Sequence, residues 1–413
     1  MSRIFFALAL AGSLALMGHP GMPGGGALHA QNSSDARLTL LAGGDIEWAL
    51  GLQRPQIYHH PGEDGWRAVP YLLTEERRAW MQVHEPELLA SIDSHFEESI
   101  KYGLEFDSDL EMGRHPFQRV RELFRSANFS FVNLESPISD RARRAYDAAL
   151  VSPPAFADGI AWAGISVVSV ANNHAFDAEG EGLIHTLEIL NQVGVHGVGG
   201  GRNLEEARRP VILEQNGIRV AILAYAQFVN PGQRVTAFAL PDLAGVAPMD
   251  PFLIEEDIRR VRDQVDHVIV SFHWSGGGSN NSSTKVDPHP QGVAFAHRII
   301  DAGADMILGH HAPLPRGIEI YRGKPIVYSL GKLIFGHNHV EWTDQMMVRF
   351  TLSQSGVEEI EILPIAGEGM DMAQPYLLEG PRARAILETV RERSARLGTE
   401  VEVRGDLAVV RLR

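Results

Sequence analysis

Apolar residues form short continuous runs along this chain from residue 38 onward, and most runs end in glycine or polar residues. They are rich in β-branched side chains and do not alternate with polar positions. Strands covered on both faces have this pattern. The pattern therefore predicts interior strands at residues 38–44, 129–134, 165–172, 218–226, 266–274, 304–310, 325–330 and 346–352.

Apolar residues at helical spacing lie between several of the predicted strands. Three such sets are Leu183, Leu187 and Leu190; Ile254, Ile258 and Val261; and Val293, Ala296 and Ile300. Strands that alternate with helices of this length indicate a layered α/β fold. Near the C-terminus, Pro381 and Gly398 bracket a further periodic segment, which predicts one more helix.

Two segments depart from this pattern. Residues 50–115 are polar and acidic without a clear strand, which predicts an insertion or lid between core strands. Residues 1–30 have a basic residue, an apolar stretch and small residues in the order of a secretory signal, with cleavage expected near Ala30. The alternative is an uncleaved anchor. With cleavage, we expect an exported protein, either periplasmic or extracellular.

Composition narrows the possible functions. The chain has 52 acidic and 37 basic residues, a formal net charge of −15, and no cysteine. Such a charge disfavours nucleic acid or anionic lipid as the main ligand. Without thiolates, any metal must be held by nitrogen and oxygen atoms.

Polar residues gather where the predicted strands end. In α/β sheets the carboxyl ends of strands converge on one crevice. Carboxylate, amide and imidazole groups there are typical ligands of a divalent cation. Each residue alone could be a cap, a turn residue or a core histidine, but together they predict a metal centre. The residues are Asp45, Asn133, Glu135, Asn172, Asn173, His174, His273, His310 and His311.

Longer motifs carry a resemblance to a known family. The order GGDIEWA, NLESP, ANNHAFD, SFHW, GADMILGHHAP and YSLGKLIFG, from about Leu38 to Phe335, resembles the CapA family of poly-γ-glutamate and capsule synthesis proteins. That family is similar to calcineurin-like metallophosphoesterases. The resemblance implies a four-layer α/β/β/α sandwich with mixed sheets over residues 36–370. Residues 371–413 would add a C-terminal helix and strand.

The resemblance also implies roles for the strand-end residues. His174 would polarise the leaving oxygen, and Asp177 would orient His174 or cap the following helix. Substrate would contact Asn133, Asn172 and Lys332. The ligands of one or two Mn, Fe or Zn ions would be Asp45, Glu135, Asn173, His273, and His310 or His311, with His311 expected to point into the crevice.

Three departures from the related patterns affect the number of ions. The phosphoesterases have a histidine where this chain has Glu47, Pro313 stands where CapA-like chains have another histidine, and Lys332 replaces an asparagine. The site would hold a single cation, or a second one weakly through Asp45, Glu47 and Glu135. Lys332 could meet an anionic substrate, could replace a missing metal, or could be an ordinary surface lysine.

Two functions remain open at this stage. The first is a metal-dependent hydrolase or transferase that acts on a phosphoester or on an anionic polymer of the polyglutamate type. The second is a non-catalytic scaffold or polymer-binding module that keeps the fold and works with envelope polymer-synthesis proteins. A periplasmic phosphoesterase is a further alternative for the enzyme.

Overall fold

The structure is a computed structural model that describes residues 36–49, 106–141, 150–230, 237–276, 287–336 and 343–412, with short pieces between residues 58 and 86. The predicted signal, residues 1–30, and most of the predicted insertion, residues 50–115, lie outside the described residues. No helix in the described part of the chain is long and apolar enough to cross a membrane.

The strands, numbered in chain order, are β1 (Leu38–Glu47), β2 (Tyr58–His59), β3 (Trp66–Arg67), β4 (Phe129–Leu134), β5 (Val167–Ser169), β6 (His196–Val198), β7 (Gly200–Gly201), β8 (Val211–Gln215), β9 (Ile218–Ala226), β10 (Gly245–Val246), β11 (His267–His273), β12 (Met306–His310), β13 (Ile318–Tyr321), β14 (Lys324–Val327), β15 (Lys332–Phe335), β16 (Gln345–Ser353), β17 (Gly356–Ile365), β18 (Val401–Arg404) and β19 (Leu407–Val410). The helices are α1 (Asp109–Arg114), α2 (Arg121–Arg125), α3 (Ala155–Ala163), α4 (Glu179–Gln192), α5 (Leu204–Ala207), α6 (Pro251–Val261), α7 (Pro290–Asp301) and α8 (Gly380–Ala395).

Two large mixed sheets organise these elements. The first has nine strands in the order β18-β19-β17-β16-β1-β4-β5-β6, with β15 also paired to β1. The second has six strands in the order β13-β14-β12-β11-β9-β8. The second sheet has parallel central strands and an antiparallel strand at each edge. In the first sheet, β15, β1, β4, β5 and β6 pair in parallel, and antiparallel strands extend it from β16 to β18. The end of the chain thus joins the first sheet through β18 and β19.

The second sheet is covered on both faces, as its continuous apolar strands predict. Along β9, Val220, Ile222 and Ala224 belong to the core shared with the first sheet. The alternate residues Ala221 and Leu223 pack with α6 and α7 in a second core. Helices α3 and α4 pack with the first sheet. The layers therefore run helix, sheet, sheet, helix, and the predicted four-layer α/β/β/α fold is confirmed.

Observed strand bounds differ from the predicted ones mainly beside the crevice. β4 and β9 have the predicted bounds, whereas β1 continues to Glu47 and the predicted run 165–172 contributes only Val167–Ser169. The chain leaves the ladder after Ser169, where Asn172 and Asn173 follow. Several strands were not predicted. One of them, β17, begins with partly or fully exposed residues and therefore lacks a continuous apolar run.

Candidate metal centre

The first sheet brings one set of charged and amide side chains together. Asp45 on β1 is in register with Asn133 on β4 and with Lys332 on β15. Residues in register on neighbouring strands point to the same face. Glu135 continues beyond β4 through a hydrogen bond from its backbone N–H to the Ile46 carbonyl, 2.8 Å. We call Asp45, Glu47, Asn133, Glu135 and Lys332 the carboxylate side.

Glycines before Asp45 and Lys332 allow β1 and β15 to approach closely. A Cβ atom at Gly44 would lie 2.2 Å from the Gly331 carbonyl oxygen. The Asp45 backbone N–H donates to that same oxygen at 2.9 Å. Gly331 itself has a φ of +74°, a conformation that favours glycine. The two glycines thus help to set where the Asp45 carboxylate lies.

Hydrogen bonds already engage the Asp45 carboxylate, which is fully buried. Its Oδ1 accepts from Asn133 Nδ2 at 2.9 Å and lies 3.1 Å from His310 Nδ1. Its Oδ2 accepts from the backbone N–H of His311 at 3.2 Å. Asp45 therefore connects the two sheets and orients both histidines.

The Glu47 carboxylate is buried and binds backbone groups. Its Oε2 accepts from the Ala49 N–H at 2.6 Å, and its Oε1 accepts from the Gly336 N–H at 2.9 Å. These bonds secure the chain after β1 to the end of β15. The predicted role of Glu47 as a ligand of a second metal stays a prediction.

Glu135 differs from the other two carboxylates. Its Oε1 lies 3.5 Å from His273 Nε2, and its buried Oε2 has no hydrogen-bond partner among the described residues. Burial raises the pKa of Glu135 well above its usual value, and the charge of Asp45 adds to this, while Lys332 opposes it. A buried oxygen without a donor is costly, so Glu135 is suited to binding a cation.

The second sheet supplies the imidazole groups. His273 on β11 and His310 on β12 are in register, and both are almost completely buried. His311 follows directly with a φ of +87°, unusual for a residue with a side chain. Such strain, on the order of 1–3 kcal/mol, often occurs at functional sites. We call these three residues the imidazole side.

Burial keeps two of these imidazoles in the neutral form that binds metals. It lowers the pKa of His311 to about 4, against the opposing charge of Asp45. Burial and the neighbouring His311 and His310 lower the pKa of His273 well below its usual value. A neutral imidazole nitrogen has the lone pair that coordination requires.

The ring of His311 is held by aromatic contacts. It packs edge to face with Phe228 at a centroid distance of 4.7 Å and with His273 at 5.0 Å. Its Nδ1 is buried without a hydrogen-bond partner in the described part of the chain, and so is Nε2 of His310. Both histidines thus have one ring nitrogen without a hydrogen-bond partner among the described residues.

Asn172 and Asn173, which follow β5, have different contacts. Asn172 donates to the Leu134 carbonyl at 2.6 Å and accepts from the His174 N–H at 3.0 Å. It therefore holds the turn. Asn173 Oδ1 lies 2.6 Å from His273 Nε2, so this amide oxygen faces the imidazole side.

His174 and Asp177 form a hydrogen-bonded pair beside the centre. His174 Nδ1 lies 2.7 Å from Asp177 Oδ2, and this oxygen also accepts from the Leu150 N–H at 2.6 Å. Asp177 is fully buried, whereas the His174 side chain is 21% exposed. The pair therefore directs the other ring nitrogen of His174, Nε2, away from the carboxylate.

Residues from the two sheets converge closely enough to bind one cation. One ligand atom from each of Glu135, His273 and His311 lies within 4.8 Å of the other two. Glu135 Oε2 and His311 Nδ1, both without partners, belong to this group of residues. Carboxylate oxygen and imidazole nitrogen suit Mn, Fe and Zn. The residues present therefore fit a divalent cation.

Two contributors to this region were missed in the sequence. Asn230 Nδ2 lies 3.2 Å from Nδ1 and 3.4 Å from Nε2 of the His174 ring, and its Oδ1 accepts from Asn173 Nδ2 at 2.5 Å. It follows the end of β9, so the strand-end rule could have found it. Gln345 accepts from the Lys332 N–H at 3.0 Å and donates to the Pro313 carbonyl at 3.2 Å. It begins β16, where no sequence signal marks it.

Comparison with known proteins decides the family. The family model described as bacterial capsule synthesis protein PGA_cap matches residues 40–337. The chain belongs to this family. The match includes both sides of the centre, from Asp45 to Lys332, and confirms the resemblance to CapA-like proteins.

Named relatives agree with this assignment. The chain is similar to the capsule biosynthesis protein CapA of Bacillus anthracis, with 26% identity over 65% of this chain and 68% of that protein. The PGA biosynthesis protein CapA of Bacillus subtilis (strain 168) is 28% identical over 63% of this chain and 70% of that protein. Among solved structures, the calcineurin-like phosphoesterase YfkN from Bacillus subtilis has a TM-score of 0.38 and 12% identity, covering 88% of this chain and 94% of that chain.

Proposed function

We propose that this family member is an exported metal-dependent hydrolase that acts on an anionic polymer of the poly-γ-glutamate or capsule type. The observation that carries the proposal is the convergence of Glu135, His273 and His311 within 4.8 Å, with Glu135 Oε2 and His311 Nδ1 lacking hydrogen-bond partners among the described residues. The names of the CapA relatives support the polymer class.

In this proposal, residues of the centre bind the metal or orient its ligands. Glu135, His273 and His311 would hold one Mn, Fe or Zn ion, and the Asn173 amide oxygen lies beside His273 as a further ligand. A bound divalent cation supplies Lewis-acid activation of water and of the group under attack. Asp45 orients His310 and His311 through its two carboxylate oxygens, which therefore already have hydrogen-bond partners.

In this proposal His174 donates a proton to the leaving group. Because Asp177 accepts the Nδ1–H of His174, the proton for the leaving oxygen or nitrogen would come from Nε2. Asp177 is fixed in turn by the Leu150 N–H. Asn133 and Asn172, whose predicted contact with substrate stays a prediction, donate hydrogen bonds to Asp45 and to the Leu134 carbonyl. We propose that they position the other residues of the site.

A non-catalytic scaffold is the second candidate, and one observation favours it. The carboxylates of Asp45 and Glu47 are bonded to N–H groups, so a second metal would have to compete with them. A polymer-binding module that keeps this frame and works with envelope polymer-synthesis proteins would need no second ion. A phosphoester substrate is the third possibility, and it uses the same site.

Hydrolysis assays separate these candidates. Purified protein with added Mn²⁺ is incubated with poly-γ-glutamate and, separately, with a chromogenic phosphodiester. Cleavage of the polymer supports the proposal, and cleavage of the phosphodiester alone supports the phosphoesterase. His311→Ala should abolish either activity, whereas the matched control His196→Ala, at an exposed histidine, should not change it. Metal-loaded protein that cleaves neither substrate favours the scaffold.

Export is tested separately. The signal predicted at residues 1–30 leads us to expect the mature chain in the periplasmic or extracellular fraction. Cell fractionation with N-terminal sequencing would show a new N-terminus near Gln31. Recovery of the uncleaved chain with the membrane would instead show that the segment is an anchor.

A further inference from the structure

We propose that Lys332 is a built-in counter-ion for the carboxylate side and thereby limits the centre to one divalent cation, bound on the imidazole side. The inference rests on the proposed metal centre and goes beyond it, because it sets the number of ions and assigns Lys332 a structural charge. The sequence left three roles possible for Lys332, and the counter-ion role excludes one of them, direct capture of an anionic substrate.

Strand register places the Lys332 side chain among the carboxylates. Lys332 and Asn133 flank Asp45 on the two neighbouring strands, so all three side chains share a face. The charges that act on Lys332 come from Glu135, Asp45 and Glu47. One ammonium group thus lies amid three acidic groups that are all at least nine-tenths buried.

Other contacts hold the lysine in this position. Its Nζ lies 3.8 Å from the centroid of the Phe335 ring, a cation–π contact. Its backbone N–H donates to Gln345 Oε1 at 3.0 Å. The side chain is partly buried rather than extended into solvent. A lysine that captures a polymer from solution would keep its ammonium group exposed, so these contacts favour an internal role.

Electrostatics explains why the charge is needed. Buried carboxylates are very unfavourable unless a positive charge or hydrogen bonds compensate them. Asp45 and Glu47 accept hydrogen bonds from N–H groups, but Glu135 Oε2 accepts none from the described part of the chain. Lys332 is in register with Asp45 on β1, and Glu135 is bonded to the same strand through its backbone N–H. The ammonium group of Lys332 therefore supplies the positive charge that compensates these buried carboxylates.

The same charge disfavours a second cation. A divalent ion bound by Asp45, Glu47 and Glu135 would lie beside the ammonium group and meet like-charge repulsion in a buried site. It would also have to compete with the N–H groups already bonded to Asp45 and Glu47. By contrast, His311 Nδ1 and Glu135 Oε2 have no hydrogen-bond partner to displace among the described residues. One cation therefore fits on the imidazole side.

Metal stoichiometry tests the inference without an activity assay. Mn²⁺ binding is measured by titration calorimetry and by elemental analysis after desalting, for the wild type, Lys332→Met and Lys332→Arg. We expect about one equivalent in the wild type and in Lys332→Arg, which keeps the charge, and about two equivalents in Lys332→Met. In the electron paramagnetic resonance spectrum, only Lys332→Met should show two magnetically coupled Mn²⁺ ions.

The outcomes separate this inference from the proposed function. Two equivalents in the wild type, or one in Lys332→Met, would overturn the counter-ion role and leave the metal centre intact. No bound metal in the wild type would overturn the proposed hydrolase as well. Melting curves with Mn²⁺ show whether each variant folds. If Lys332→Met does not fold, Lys332→Gln provides the neutral variant, with the same outcomes expected.

Discussion

The carboxylate side and the imidazole side of the centre satisfy their polar atoms in different ways. On the carboxylate side, Asp45 and Glu47 accept hydrogen bonds at both oxygens. On the imidazole side, His310 and His311 each keep a buried ring nitrogen without a partner among the described residues. Glu135 comes from the first sheet but resembles the imidazole side in this respect. The comparison distinguishes two groups of residues. Asp45 and Glu47 form a frame whose hydrogen bonds fix the geometry of the centre, whereas the other residues have an oxygen or nitrogen atom that remains available to bind a metal.

The largest predicted effect concerns the frame. Asp45→Ala would remove the acceptor of the His311 N–H and the nearer acceptor of the Asn133 amide, and should lower the free energy of unfolding by about 4 kcal/mol. Urea denaturation of the metal-free protein measures this. The control Asp263→Ala, at an exposed aspartate, should change it little. A metal-free Asp45→Ala protein as stable as the wild type would contradict this structural role of Asp45.

The next effect concerns the proposed metal ligands of the imidazole side. His311→Ala removes a proposed ligand and should weaken Mn²⁺ binding at least about 100-fold. Even the loss of a residue that only hydrogen-bonds to a metal ligand typically lowers metal affinity about 10–100-fold. Because alanine keeps a Cβ, the backbone strain at residue 311 should be unchanged, and metal-free stability should change much less than in Asp45→Ala. Calorimetric titration against His196→Ala measures the difference. Equal binding in both variants would contradict the assignment of His311.

Melting curves with added metal should distinguish the two sides of the centre without an activity assay. For the wild type, Mn²⁺ at 100 times its dissociation constant should stabilise the protein by about 2.7 kcal/mol. The increase in melting temperature should disappear in His311→Ala and persist in His196→Ala. A wild-type melting curve that does not respond to any of Mn, Fe or Zn would support the scaffold.

The smallest effect concerns Asn230, which contacts both His174 and Asn173. Asn230→Ala removes its contact with the His174 ring and its hydrogen bond from Asn173, and should cost about 1 kcal/mol, or roughly fivefold in kcat. Metal affinity should change less than kcat, because Asn173 keeps its contact with His273. A loss in metal affinity alone would mean that Asn230 acts through Asn173 and does not position His174.

Much of the fold was predictable from local pattern. Continuous apolar runs located β4 and β9 at their observed bounds, because burial on both faces leaves a signal that needs no knowledge of neighbours. Strands such as β17, whose first residues are partly or fully exposed, left no such signal. The C-terminal helix α8 was predicted from spacing and Pro381, but the pairing of β19 with β17 was not.

The candidate site shows the same division. The sequence alone determined which chemical groups stand at the strand ends, since strand ends and ligand types are local properties of the chain. The tertiary structure decided how these groups are used. The register between β1 and β15 put Lys332 beside Asp45, and the packing of the two sheets brought His311 near Glu135 and His273. Hydrogen bonds to distant backbone groups made Asp45 and Glu47 part of the frame. Such contacts join residues far apart in sequence, and only folding brings them within reach of each other.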